Sequence, residues 1–275
     1  MIFAGGQNLA GRIALCGAVF LALAGAAFLS GCKGNTRAAG VERRTGKPPV
    51  VAARLMSASA DGERNDPLSS KMWREAEWWP LVAPANTART TPPSRTAVLY
   101  DAGTLYVAVI NDVPEWGTEE QDTVSLYIDT HGDGKEVLQV TTDARGGARA
   151  AWIRASTPVG PQEDGGPNIG YPLDIRPDIQ VRGMTARVGR GLADGREAWT
   201  VVLALPVTGM PPLMQALPAS GAHWRFNVLR SVTRRGEQYQ GNLAPVYVNA
   251  QAASAYRMAE LEFVGMTNDK SNLNV

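Results

Sequence analysis

Asp122-Thr123-Val124-Ser125-Leu126-Tyr127-Ile128-Asp129 alternates without a break, with Val124, Leu126 and Ile128 on one side and Thr123, Ser125 and Tyr127 on the other. A period of two places successive side chains on opposite faces of a sheet, so the stretch predicts a half-buried strand. A Gly-rich turn follows, and Glu136–Thr142 (EVLQVTT) repeats the pattern, with Leu138 and Val140 opposed to Gln139 and Thr141. Two alternating runs joined by a turn read as a hairpin.

The same reading extends outward. Thr96–Tyr100, Leu105–Ile110, Ala148–Arg154, Ile179–Val188, Ala198–Leu205, Trp224–Val232 and Met258–Val264 all read as strands. Leu105–Ile110 (LYVAVI) is apolar on both faces, as a central strand covered on both sides would be. Only Lys71–Trp79 (KMWREAEWW) reads as helix. The 29 Gly and 18 Pro suit short strands joined by turns. The expected fold is all-β: an antiparallel, jelly-roll-like β-sandwich of about nine to eleven strands with one short helix near the domain start.

Three apolar rows would form its core: Val124/Leu126/Ile128, Trp199/Val201/Leu203/Leu205 and Trp224/Phe226/Val228. Each large side chain buried there contributes about 1.5–3 kcal/mol. The opposite faces carry Ser125, Tyr127, Gln139, Thr141, Arg225 and Asn227. If those strands are neighbours, they present one polar, hydrogen-bonding surface. The alternative is a plain solvated outer sheet. Trp73, Trp199 and Trp224 fall on apolar rows and read as core, whereas Trp116 and Tyr171 fall in loops and are the candidate exposed rings.

The order of motifs adds a resemblance. Trp73 and Ala76 come first, followed by Ala97-Val98-Leu99-Tyr100-Asp101 and Leu105-Tyr106-Val107-Ala108-Val109. Gln121-Asp122-Thr123-Val124 then runs to Ile128-Asp129, Trp199 leads to Ala204-Leu205-Pro206, and Trp224-Arg225-Phe226-Asn227 leads to Arg230. Over residues 70–264 this series resembles the family 9 carbohydrate-binding modules and their DOMON-like relatives. The resemblance implies a β-sandwich that binds a ligand without catalysis. In sugar-binding members two Trp rings hold the terminal sugar, while a Glu and an Arg bond its hydroxyls. Trp116 stands nearest the first ring, Ser125 falls where the family has Glu and Gln139 where it has Arg, while the family's late Trp-containing loop has no match, Arg234–Val246 supplying only Tyr239. A glycan or a protein is the implied ligand. DOMON-like relatives that hold b-type haem imply an alternative electron-transfer role, for which Met56, Met184, Met210 and Met214 are available axial ligands. A structural or assembly lipoprotein with a protein partner is a third possibility.

Other chemistries find little support. Asp129-Thr130-His131-Gly132-Asp133-Gly134 begins like a calcium loop, but His131 stands at position 3 and Val140 at position 12, where a bidentate Glu is required. A hairpin turn accounts for the same residues, so Asp129 and Asp133 are at most weak calcium candidates and no cofactor is expected. The only two His, His131 and His223, lie in no GxSxG or HExxH context, and no enzyme is expected. A net charge of +1 gives no field for nucleic acid.

The chain start reads as an address. Ile13–Leu29 is an apolar run, and Leu29-Ser30-Gly31-Cys32 resembles the bacterial lipobox, in which the cysteine is lipidated. Residues 1–31 would then be a signal peptide and Cys32 a membrane anchor, with Cys16 cleaved away. Lys33 after the cysteine leans towards the outer membrane of a Gram-negative envelope. Residues 32–49 read as a disordered tether, 50–266 as the folded domain and 267–275 as a disordered tail, with Thr157–Asp174 as a long surface loop.

Overall fold

The computed structural model describes residues 49–55, 66–84, 91–101, 103–113, 121–133, 135–155, 173–209, 221–244 and 258–265. All of them belong to one compact unit, Val41–Val275. The elements are β1 (Val50–Leu55), α1 (Lys71–Arg74), β2 (Trp79–Pro80), β3 (Ser94–Tyr100), β4 (Thr104–Asp112), β5 (Gln121–Asp129), β6 (Glu136–Asp143) and β7 (Ala148–Ala155). They continue with β8 (Leu173–Ile179), β9 (Thr185–Ala193), β10 (Arg196–Pro206), a 3-10 turn (Val207–Gly209), β11 (His223–Arg234), β12 (Glu237–Asn242) and β13 (Ala259–Val264).

The strands run in the order β8-β7-β6-β5-β11-β13-β1-β3-β4-β10-β9, with β12 on β11 and β2 on β3. Pairing is antiparallel except around β1, which lies parallel to both β13 and β3. The sheet curls on itself, so its two halves face each other. Val124, Leu126 and Ile128 of β5, Phe226 and Val228 of β11, Val107 and Val109 of β4, and Trp199, Val201 and Leu203 of β10 share one buried cluster. All three apolar rows expected from the sequence lie in that cluster. A second apolar layer forms on the other side of β3, β4 and β10. There Trp73 of α1 covers Ala97, Leu99, Tyr106, Ala108 and Val202, so β4 is buried on both faces as its composition predicts.

Several details differ from expectation. The helix ends at Arg74 rather than Trp79, because Trp79-Pro80 is extended and pairs with Thr96 and Arg95. A proline disfavours helical backbone at the residue before it. The segment 179–188 is not one strand. Gly183 takes φ +78°, Met184 N–H donates to the Val181 carbonyl at 3.1 Å, and this turn separates β8 from β9. Asp174, assigned to a loop by its Gly/Pro-rich surroundings, lies in β8, while residues 157–172 fall outside the described residues. β8 and β9 are consecutive in the chain yet form the two ends of the sheet path.

Candidate functional site

The outward side chains of β5, β6 and β11 follow from the register. Asn227 pairs with Tyr127 and Tyr127 with Gln139, while Leu229 pairs with Ser125 and Ser125 with Thr141. Paired residues in a ladder point to the same face, here the one opposite Val124, Leu126 and Ile128. Hydrogen bonds link the row. Ser125 Oγ and Thr141 Oγ1 share a bond of 2.8 Å, and Gln139 Nε2 donates to the Tyr127 hydroxyl at 3.1 Å and to Thr141 Oγ1 at 3.4 Å. Towards β12 the polar surface continues, since Gln238 and Gln240 donate through Nε2 to Ser231 Oγ at 3.3 and 3.5 Å. Hydroxyls and amides make up the bonded row, and it is flanked on the same face by exposed Arg149, which pairs with Thr141, and by Asp143, which pairs with Thr123.

The strip is less open than alternation alone suggests. Ser125 and Tyr127 are buried, and Gln139 and Thr141 are half-buried. Tyr127 belongs to a small apolar cluster with Val137, Ile153 and Met258 on the same face. Burial pushes the Tyr127 phenol up to about 12, with Ser125 pulling it slightly back. Asn227 is fully buried, and its Oδ1 accepts from Ala244 N–H at 3.2 Å, so it orders the chain leaving β12. Arg225 points to Glu260 at 3.7 Å, a carboxylate that also meets His223 Nδ1 at 2.9 Å.

Tyr239 is not part of this strip. It pairs with Val232, on the core-facing side of β11, and its hydroxyl donates to Glu237 Oε2 at 3.0 Å. Trp116, Tyr171 and Cys32 lie outside the described residues, as do Met56, Met210 and Met214. Met184 packs against the central core. The structure therefore brings together Ser125, Tyr127 and Gln139, with Asn227 in the same row and Arg225 at its end.

Asp129 and Asp133 shape the β5–β6 turn. Asp129 Oδ1 accepts from the backbone N–H of His131 and Gly132 at 3.0 and 2.8 Å, and Gly132 takes φ +68°. Asp133 Oδ1 accepts from Lys135 N–H at 3.0 Å, and its other oxygen meets the Lys135 ammonium at 2.9 Å. Burial pushes the Asp133 carboxyl up, but Lys135 outweighs it and leaves the group below the usual carboxylate range. These bonds are those of a side-chain-closed turn. Among the described residues no group of three or more His, Cys, Asp or Glu is arranged to hold a metal.

One polar network was not anticipated. Arg230, with no solvent exposure, points into the sandwich from β11. It donates through Nε and Nη2 to both oxygens of Asp122 (3.0 and 2.7 Å), through Nη1 to Ser94 Oγ (2.9 Å) and the Pro92 carbonyl (3.2 Å), and through Nη2 to the Asp112 carbonyl (3.0 Å). Trp199 Nε1 donates to Asp122 Oδ2 at 2.8 Å. The scattered Asp122, Trp199 and Arg230 of the motif series thus form one unit that ties the two halves of the sheet together. Its signal in the sequence was the Arg on an otherwise apolar-facing row, two residues beyond Val228.

Comparison with solved structures places the fold. It is similar to a "putative carbohydrate-binding protein" from Bacteroides uniformis ATCC 8492, with a TM-score of 0.54 at 12% identity, over 78% of this chain and 99% of that one. It is also similar to a family 9 carbohydrate-binding module from Caldicellulosiruptor kristjanssonii solved with glucose, with a TM-score of 0.50 at 13% identity, over 81% and 99% of the two chains. The chain has the β-sandwich fold of these proteins. No protein-family model matches it, and no curated protein matches it significantly by sequence.

Proposed function

We propose that this chain is a non-catalytic binding module for a glycan, held in the cell envelope by a lipid on Cys32. The observation that carries the ligand class is the bonded strip Ser125–Thr141–Gln139–Tyr127 on the outward face of β5 and β6. Hydroxyls and a carboxamide both donate and accept, which matches sugar hydroxyls, and exposed Arg149 beside Thr141 adds a cation at the edge of the row. Ser125 and Gln139 occupy positions where the family the sequence resembles carries Glu and Arg, so a neutral pair replaces a charged one on the same face. The fold likeness to a module solved with glucose supports a hexose-based polymer as the class to test first. The lipobox-like Leu29-Ser30-Gly31-Cys32 after an apolar run supports the anchor.

Affinity electrophoresis through gels containing neutral or acidic polysaccharides tests this reading. Retardation by at least one polysaccharide, weakened about tenfold by Gln139→Ala with no change in urea midpoint, is the expected result. Absence of retardation in every gel, or retardation that Gln139→Ala leaves unchanged, would refute it.

A further inference from the structure

The sheet has two ends, and they are not equally protected. At one end, β8 carries Pro177, which removes a backbone donor, Asp178 takes φ +55°, and the pairing with β7 shifts between Ala150 and Trp152. These are devices that keep an edge from accepting another strand. At the other end, β9 (TARVGRGLA) holds an unbroken register with β10 from Thr185↔Ala204 to Ala193↔Arg196 and contains no proline.

The hairpin between β9 and β10 closes through Asp194 (φ 51°) and Gly195 (φ 78°), a turn with both central residues left-handed. Such a turn makes Ala193↔Arg196 a hydrogen-bonded pair. Gly191, Gly189 and Arg187 then face β10 as well. The N–H and C=O groups of Ala186, Val188, Arg190 and Leu192 point to the open side, with no backbone partner among the described residues. Along that side the core is incompletely covered, since Met184, Ala186 and Val188 are only partly buried against it. Leu192 is 70% exposed.

Charge selects the occupant. Nearby arginines are matched: Arg95 to Asp194 at 2.6 Å, Arg176 to Asp174 at 3.5 Å and Arg196 to Asp112 at 3.0 Å. Arg182, Arg187 and Arg190 are exposed and have no ion pair among the described residues. A second copy of β9 would double the positive charge along this edge, whereas acidic side chains on the face away from Val188 would meet Arg187. The geometry points to β9 as the docking edge for an extended acidic polypeptide strand. It would pair with Ala186–Leu192 and place alternate apolar side chains beside Val188 and Met184. This is strand addition, in which main-chain bonds give affinity and alternate side chains give specificity.

The test uses the full chain in detergent micelles and an alternating Glu-Val octapeptide, with an alternating Lys-Val octapeptide as control. Amide exchange followed by NMR should slow at Ala186, Val188, Arg190 and Leu192 when the Glu-Val peptide is added, and not with the Lys-Val peptide. Val188→Pro removes an outward donor without touching the β10 ladder, and should weaken Glu-Val binding at least about tenfold. Should Val188→Pro fail to fold, Arg187→Glu should reverse the preference to the Lys-Val peptide, because Arg187 is the arginine of β9 on the face opposite Val188. Unaltered exchange at the four amides, or equal binding of both peptides, would overturn the proposal. So would concentration-dependent self-association that Val188→Pro abolishes, which would assign the edge to a second copy.

Discussion

Trp199 and Asp122 meet through a 2.8 Å hydrogen bond although five strands separate β10 from β5 along the sheet. The contact exists because the sheet folds back, and the same carboxylate neutralises the buried guanidinium of Arg230 at 2.7 Å. A charge removed from water in this way is tolerated when every donor is used, and breaking such a pair costs about 3–5 kcal/mol.

Asp122→Ala should therefore destabilise the protein by about 3–5 kcal/mol, because it strands Arg230 inside the sandwich. Trp199→Phe keeps most of the ring volume and loses one hydrogen bond, for a smaller cost of about 1 kcal/mol. In the double variant the two losses should not add, since both remove contacts of one carboxylate. Urea unfolding of the three variants decides this.

The core and the sheet were readable from the sequence because their signals are local. Period-two alternation located β5, β6, β10 and β11, and the double-sided run Leu105–Ile110 located the central strand. β12 (EQYQGN) was missed because it is polar on both faces and is held by its pairing with β11. β1 was missed because its place between β13 and β3 is a long-range fact of topology. Within the site, alternation correctly grouped Ser125, Tyr127 and Gln139 on one face. It could not show that Met258, more than 100 residues away in the chain, packs with Tyr127 there. Tyr239 is singled out only as the aromatic of the segment where the resemblance places a late loop, and register puts it on the other side of β11.

Tyr127 gives a pH prediction. Its phenol is neutral when buried, with a folded value of about 12 against the ordinary 10.0. The contribution is present in full below pH 10, where both states are protonated, and is lost as pH rises towards 12 and the unfolded state ionises first. Stability measured by urea unfolding should fall across that interval. Tyr127→Phe should flatten the fall and remove one late step from the tyrosinate absorbance titration. Burial also raises Tyr100, so part of the late titration should remain.

Two glycines should respond differently to alanine. A Cβ on Gly209 would lie 1.9 Å from the Arg182 carbonyl oxygen, a backbone atom that cannot yield. One on Gly191 would lie 2.8 Å from Leu68 Cδ1, the end of a flexible side chain. Gly209→Ala should cost more than the roughly 1–3 kcal/mol usual for overpacking, and Gly191→Ala should cost less. Thermal unfolding of the two variants provides the comparison.

The proposed anchor makes its own prediction. Cys32→Ser should move the protein from the membrane fraction to the soluble extracytoplasmic fraction, because the lipid attachment atom is lost. Fractionation of cells followed by immunoblotting reads the result.

The most direct test of glycan recognition is an NMR titration of the full chain in micelles with an oligosaccharide cut from whichever polysaccharide retards it. The Gln139 side-chain amide and the Thr141 backbone amide should shift together and saturate, while core amides such as Leu203 stay fixed. Saturable shifts confined to other parts of the sheet, with Gln139 and Thr141 silent, would contradict the assignment of the sugar to this strip.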